Sequence, residues 1–135
     1  MMTDGSRSPG PVEDVKVLFV EDDPTVAQMY RLKLELDGYQ VVMAKDGEEG
    51  LELAARLEPD LIFLDIRLPK MGGLDVLEQL RRATETMNTP VVILSNYGER
   101  ELVERGLKLG ALEYLIKSQT TPARLSSGVE GWLKE

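Results

Sequence analysis

Short apolar runs alternate with amphipathic stretches along most of the chain. Residues 15–20 (VKVLFV) form a nearly continuous apolar run, the pattern of a strand buried on both faces. Residues 40–44 (QVVMA), 61–64 (LIFL), 91–94 (VVIL) and 114–116 (YLI) repeat it in shorter form. Between these runs the apolar positions recur at helical spacing. Asp23-Pro24 predicts a helix start, with Asp23 as N-cap and Pro24 in the first turn. Val26, Met29, Tyr30 and Leu34 form that helix's apolar stripe, and Gly38 closes it. Asp46 followed by Glu49 predicts a capping box on a helix carrying Leu51, Ala54 and Ala55. Leu74, Leu77 and Leu80 share one face of a third helix, and a fourth covers residues 99–109 and ends at Gly110. Thr121-Pro122 opens a fifth, with Leu125, Val129, Trp132 and Leu133 inward. Gly128 and Gly131 weaken this last helix by roughly 1 kcal/mol each against alanine.

Five strands strictly alternating with five helices predict an α/β fold of (βα)5 type. The implied architecture is a doubly wound, five-stranded parallel sheet with helices on both faces. In such sheets ligands bind beyond the carboxyl ends of the strands. Those ends carry Glu21-Asp22-Asp23, Asp65, Ser95-Asn96 and Lys117-Ser118. Each residue singly has an ordinary role: Asp23 caps a helix, Asp65 forms a turn, Ser95 is a loop hydroxyl, Lys117 a surface lysine. Their convergence on one rim is what points to a site. Crowded carboxylates repel and raise one another's pKa unless a cation intervenes. The charges of Glu21, Asp22 and Asp65 are balanced by Lys117 together with one divalent ion such as Mg²⁺.

Composition narrows the chemistry. The 135 residues suggest one domain, with residues 1–14 (MMTDGSRSPGPVED) read as a disordered tail and residues 15–135 as the folded unit. The chain has no histidine and no cysteine, which excludes Ser-His-Asp and Cys-His catalysis, zinc sites and disulfides. Carboxylate and carbonyl oxygens remain, and these suit hard cations. A net charge of −8 argues against direct nucleic-acid binding. No apolar run is long enough to span a membrane, and the N-terminus lacks a secretory h-region, so a cytoplasmic protein is expected. There is no GxxxxGK[ST] or GxGxxG phosphate cradle. A Mg²⁺-dependent hydrolase with an aspartyl nucleophile needs a second Asp two positions after it, where this chain has Arg67.

At this point the chain resembles the receiver domain of two-component response regulators, in the stand-alone, chemotaxis-regulator-like form. The resemblance covers about residues 15–133. It rests on VLFVEDDP, on LIFLDIRLPKMGG with its D-x-x-L-P-x-M-x-G loop, on VVILSN and on GALEYLIK. It implies the flavodoxin-like receiver topology and a phosphorylation switch rather than an enzyme: a phosphoacceptor that assists its own phosphorylation and dephosphorylation. Asp65 is then the phosphoacceptor, and Asp22 ligates Mg²⁺ directly and Glu21 through water. The Arg67 carbonyl completes the metal site, and Lys117 binds a phosphoryl oxygen. Ser95 is the switch hydroxyl and Tyr114 its coupled aromatic. Arg67, Asn96 and Tyr97 border the phosphoryl group, and their bulk implies slow loss of phosphate.

The implied donor is a phosphohistidine on a sensor histidine kinase or histidine phosphotransfer protein, a residue this chain lacks. The implied output is a protein contact through the fourth helix, fifth strand and fifth helix (about residues 98–132), with no output module on the chain. Where the family usually has Lys-Pro after the fifth strand, this chain has Lys117-Ser118. A cis Lys-Ser bond costs ~2.5–4 kcal/mol, so the expectation is either a trans bond with a displaced lysine or a cis bond held by tertiary contacts. Ser118 and Asn96 together motivate the alternative, a receiver-fold interaction module that works without phosphorylation.

Overall fold

The computed structural model describes residues 14–134. The predicted tail, apart from Asp14, and the last residue lie outside that range. The order is β1 (Lys16–Val20), α1 (Pro24–Leu36), β2 (Gln40–Ala44), α2 (Gly47–Leu57), β3 (Leu61–Leu64), α3 (Gly73–Arg82), β4 (Val91–Ser95), α4 (Arg100–Lys108), β5 (Glu113–Ile116) and α5 (Pro122–Leu133). A single 3-10 turn, Lys117–Gln119, joins β5 to α5. All pairings are parallel and the sheet order is β2-β1-β3-β4-β5. The order reverses beside β1, so the ends of β1 and β3 flank the crevice where such sheets place their ligands.

Period-two alternation along the strands divides the interior into two compartments. Leu18, Val20, Ile62, Leu64, Val91 and Ile93 face α2, α3 and α4, where they meet Ala54, Leu77 and Leu80. Val17, Phe19, Leu61, Phe63, Val92 and Leu94 face α1 and α5, where they meet Tyr30, Leu34, Leu125, Val129 and Trp132. Four of the aromatic rings in the second compartment form a connected series. Phe19 stacks on Tyr30 at 5.6 Å between centroids, and Phe63 contacts both Phe19 at 5.3 Å and the edge of Trp132 at 5.7 Å. The Trp132 ring is the reason α5 carries a glycine at position 128. A Cβ there would stand 2.6 Å from the Trp132 ring, so glycine makes room for the indole.

The helix starts follow the sequence with small departures. Asp23 accepts from the Thr25 and Val26 N–H groups at 2.9 and 3.2 Å. Asp46 accepts from the Glu49 N–H at 2.8 Å, but Glu49 reaches back to the Lys45 N–H rather than to that of Asp46, which shifts the capping box one residue outward. Two residues of the expected apolar faces point outward. Met29 is 47% exposed, because the buried side of α1 centres on Tyr30 and Leu34. Ala55 is exposed, and Leu53 takes the inward position beside Ala54. Leu51 and Leu133 are half-buried.

Arg81 staples α3 to its neighbours. Its guanidinium donates to the carbonyls of Leu109, Gly110 and Thr89 at 3.1, 3.1 and 2.8 Å. This single group satisfies carbonyls at the end of α4 and in the loop before β4. Arg81→Met, which keeps the aliphatic stem, is expected to cost about 2 kcal/mol in urea unfolding, the range for hydrogen bonds to a charged group. A variant as stable as the parent would show those carbonyls to be equally well served by water.

Candidate functional site

The first strand delivers its acids at the rim. The Glu21 N–H continues the ladder onto the Ala44 carbonyl at 2.9 Å, and the Asp65 N–H bonds the Val20 carbonyl at 3.1 Å. Glu21 and Asp65 are therefore buried side by side, while Asp22 is exposed at the mouth. One carboxylate oxygen from each of Glu21, Asp22 and Asp65 lies within 4.8 Å of the others. Glu21 is oriented from below by the Asp23 N–H, which donates to its Oε2 at 3.0 Å. The residue that caps α1 thus also holds a carboxylate of the site.

Gly73 fixes the other side of the crevice. Its N–H donates to the Ile66 carbonyl at 2.8 Å, and an added Cβ would lie 2.0 Å from the Asp65 carbonyl oxygen. No side chain fits there, so α3 can begin directly against the backbone of Asp65.

Lys117 reaches both buried acids. Its Nζ lies 2.8 Å from Asp65 Oδ2 and 2.5 Å from Glu21 Oε1. All described peptide bonds are trans, including Lys117-Ser118. The lysine is nonetheless not displaced, contrary to the expectation that a trans bond would shift it. The 3-10 turn begins at Lys117 itself, and the side chain reaches Asp65 and Glu21 from there. Burial pushes the Glu21 carboxyl above its usual range, against the pull of Lys117 and the Asp23 N–H. Burial draws the Lys117 ammonium down, but Asp65 and Glu21 outweigh it and the net shift is upward. The upward shift of Lys117 reflects two buried carboxylates held against one ammonium, a shortage of positive charge.

That shortage tests the fit of a metal ion. Three carboxylates facing one ammonium leave two negative charges uncompensated, and Glu21 Oε1 is buried without an aligned hydrogen-bond donor. The donor set is all oxygen. Such a rim suits a hard divalent cation like Mg²⁺.

The remaining predicted residues form a second layer over the crevice. Ser95 is fully buried at the end of β4, and its Oγ accepts from the Tyr97 N–H at 3.1 Å. The Tyr114 hydroxyl donates to the Tyr97 carbonyl. The Arg67 guanidinium lies over the Tyr97 ring at 4.2 Å, while the backbone N–H of Arg67 makes a long 3.4 Å contact to Asp65 Oδ1. The stack joins the loop after β3 to the loop after β4. Asn96 is exposed beside it. The structure thus gathers Glu21, Asp22 and Asp65 within 4.8 Å, sets Lys117 against Glu21 and Asp65, and arranges Arg67, Ser95, Tyr97 and Tyr114 around them.

Two participants escape sequence reasoning. The Tyr30 hydroxyl donates to the Thr120 carbonyl at 2.6 Å, across ninety positions of sequence. Tyr30 reads only as part of an apolar stripe, and nothing local marks Thr120.

Comparison with known proteins follows the same outline. The sequence description of the response regulator receiver domain matches residues 17–130. The chain is 40% identical over 102 residues to the DNA-binding dual master transcriptional regulator RpaA of Synechocystis, covering 76% of this chain and 42% of that protein. It is 41% identical over 103 residues to the cell cycle transcriptional regulator CtrA of Caulobacter vibrioides, covering 76% and 44%. The chain thus spans less than half the length of these curated relatives. The receiver domain of Francisella response regulator 1452 superposes with a TM-score of 0.81 at 35% identity, covering 90% of this chain and 98% of that one.

Proposed function

Because this chain belongs to the response regulator receiver domain family, whose members are phosphoacceptor signalling domains of two-component systems, we propose that it is a phosphorylation switch working through Asp65. The observation that carries the reading is the Lys117 ammonium 2.8 Å from Asp65 Oδ2, inside a rim that lacks two positive charges. The folded unit is assigned to residues 15–135. Among the described residues no helix is long and apolar enough to cross a membrane, and the proposed setting is the cytoplasm.

The donor is a phosphohistidine on a sensor histidine kinase or histidine phosphotransfer protein. An Asp65 carboxylate oxygen attacks phosphorus in line; the O–P bond forms as the P–N bond breaks, and the electron pair leaves with the imidazole nitrogen. Glu21, Asp22, Asp65 and the Arg67 carbonyl would hold Mg²⁺, which when bound supplies charge neutralisation on the phosphoryl oxygens. Lys117 orients Asp65 and meets negative charge on the transferring group, so the protein's part is positioning plus electrostatics. The product carries close to two negative charges where the carboxylate carried one. Ser95 then has new oxygens to which its hydroxyl can donate. Its bond to the Tyr97 N–H, and through it the Tyr97–Tyr114 contact, links that change to the surface of α4, β5 and α5, the proposed docking face for a downstream protein. Arg67, Asn96 and Tyr97 slow hydrolysis of the acyl phosphate by covering it. RpaA is a DNA-binding transcriptional regulator and CtrA a cell cycle transcriptional regulator, both longer than this chain; for this acidic unit the proposed output is a protein contact.

Incubation with acetyl phosphate and Mg²⁺ is expected to add one phosphoryl group by intact-mass measurement. The adduct should be absent from Asp65→Asn and from an arm without Mg²⁺. A chain that takes no phosphate in any arm would instead be a receiver-fold interaction module.

A further inference from the structure

Lys117 follows the edge strand of the sheet. With strands spaced ~4.8 Å apart, β5 stands roughly 10 Å from β3 and 14 Å from β1. A lysine continuing straight from β5 would point past the rim. The chain avoids this by turning at Lys117 itself, and three hydrogen bonds hold the turn. The Thr120 N–H donates to the Lys117 carbonyl at 3.1 Å, and the Thr120 hydroxyl donates to the Ile116 carbonyl at 2.8 Å. The Tyr30 hydroxyl donates to the Thr120 carbonyl at 2.6 Å. Ser118 imposes no ring constraint of its own on the backbone, so the direction of the turn rests on these bonds.

Tyr30 is 1% exposed and belongs to α1. The same helix is capped by Asp23, whose N–H holds Glu21. One rigid element therefore carries the acid loop at its N-terminus and the anchor of the lysine turn two helical turns later. We infer that Tyr30 and Thr120 are positioning residues for Lys117, holding the turn after β5 so that its ammonium meets Asp65 and Glu21. The inference rests on the phosphoacceptor reading for its effect on rate, but its geometric content stands without it.

Two substitutions isolate the bonds. Tyr30→Phe keeps the ring that stacks on Phe19 and removes only the hydroxyl. Thr120→Val removes the hydroxyl at nearly constant volume, and Thr120→Ser restores it. Each is read in two ways: the first-order rate of Asp65 phosphorylation at saturating acetyl phosphate and Mg²⁺, and hydrogen exchange of the Lys117 side-chain ammonium by NMR without phosphodonor. Tyr30→Phe and Thr120→Val are expected to slow phosphorylation about tenfold, as for a displaced catalytic group, and to speed exchange of the ammonium. Thr120→Ser should remain within about twofold of the parent in both readouts. The rate loss should vanish when Lys117→Ala is already present, because a positioning residue has nothing left to position. An ammonium signal unchanged in both Tyr30→Phe and Thr120→Val overturns the inference, as does a rate loss that persists in the Lys117→Ala background. If the parent takes no phosphate while the ammonium signal changes as expected, the phosphoacceptor reading fails and the positioning role stands.

Discussion

Lys117→Ala is expected to destabilise the metal-free protein by about 3 kcal/mol at neutral pH, the low end of the loss when one partner of a buried ion pair is removed. The low end applies because the rim opens to water at Asp22, although the Lys117 side chain is itself only 12% exposed. The substitution leaves Glu21 and Asp65 buried together with no ammonium between them. For a domain of this size the corresponding fall in Tm is roughly 10 °C.

The pH dependence gives the cause away. Burial raises the Glu21 carboxyl above its value in the unfolded chain, so the folded state binds the proton more tightly. A carboxyl raised in this way stabilises the fold fully below the unfolded value and loses that contribution as pH climbs through the folded one. Removing Lys117 raises Glu21 further, so the variant's deficit should grow as pH rises from about 4.5 and shrink on acidification. Saturating Mg²⁺ should recover most of it, since the variant then regains positive charge at the rim. Urea unfolding of both proteins across pH, with and without Mg²⁺, makes the check. A deficit indifferent to pH and metal would mean that Lys117 matters through packing.

Gly73→Ala carries the second large effect, and it acts through backbone alone. Its Cβ would stand 2.0 Å from the Asp65 carbonyl oxygen and 2.8 Å from the Ile66 Cα, and neither atom can rotate away. Either α3 retreats or the end of β3 moves, at a cost of about 3 kcal/mol, the upper range for overpacking. Phosphorylation of Asp65 should fall on the order of 100-fold, because a reacting group displaced by about 1 Å loses that much rate. Gly72→Ala is the control, since its nearest neighbour stands 3.7 Å away, and it should leave both quantities near those of the parent. Equal rates for the two variants would remove the close approach at Gly73 from the account of the site.

The two results sort the features that sequence makes legible from those it does not. The strand at residues 61–64 coincides with β3, because a strand buried on both faces writes a continuous apolar run, and that at 40–44 coincides with β2, a half-buried edge strand whose apolar run is just as plain in the sequence. The cap at Asp23 is equally visible, being a local bond between near neighbours. Which side of a helix faces inward is less so: Met29 and Ala55 are apolar neighbours of the residues that pack, and only the sheet decides between them. The acids and the lysine could be placed at strand ends by counting, and the parallel sheet brings all strand ends to one rim. The Tyr30–Thr120 bond has no counterpart in any local pattern. Nor does the constraint at Gly73, which reads as the end of a glycine pair in a loop until the approach of Asp65 is seen.

Trp132, the only tryptophan, gives the protein a built-in optical probe. Its ring touches Phe63, two residues before Asp65, and its indole N–H donates to Glu113 at the start of β5, at 2.7 Å. One fluorophore is thus wired to the strand that bears the phosphoacceptor and to the strand that leads to the lysine. Its emission reports from the α1–α5 side of the sheet, opposite α4, so unfolding of the two strands can be followed in the unlabelled chain.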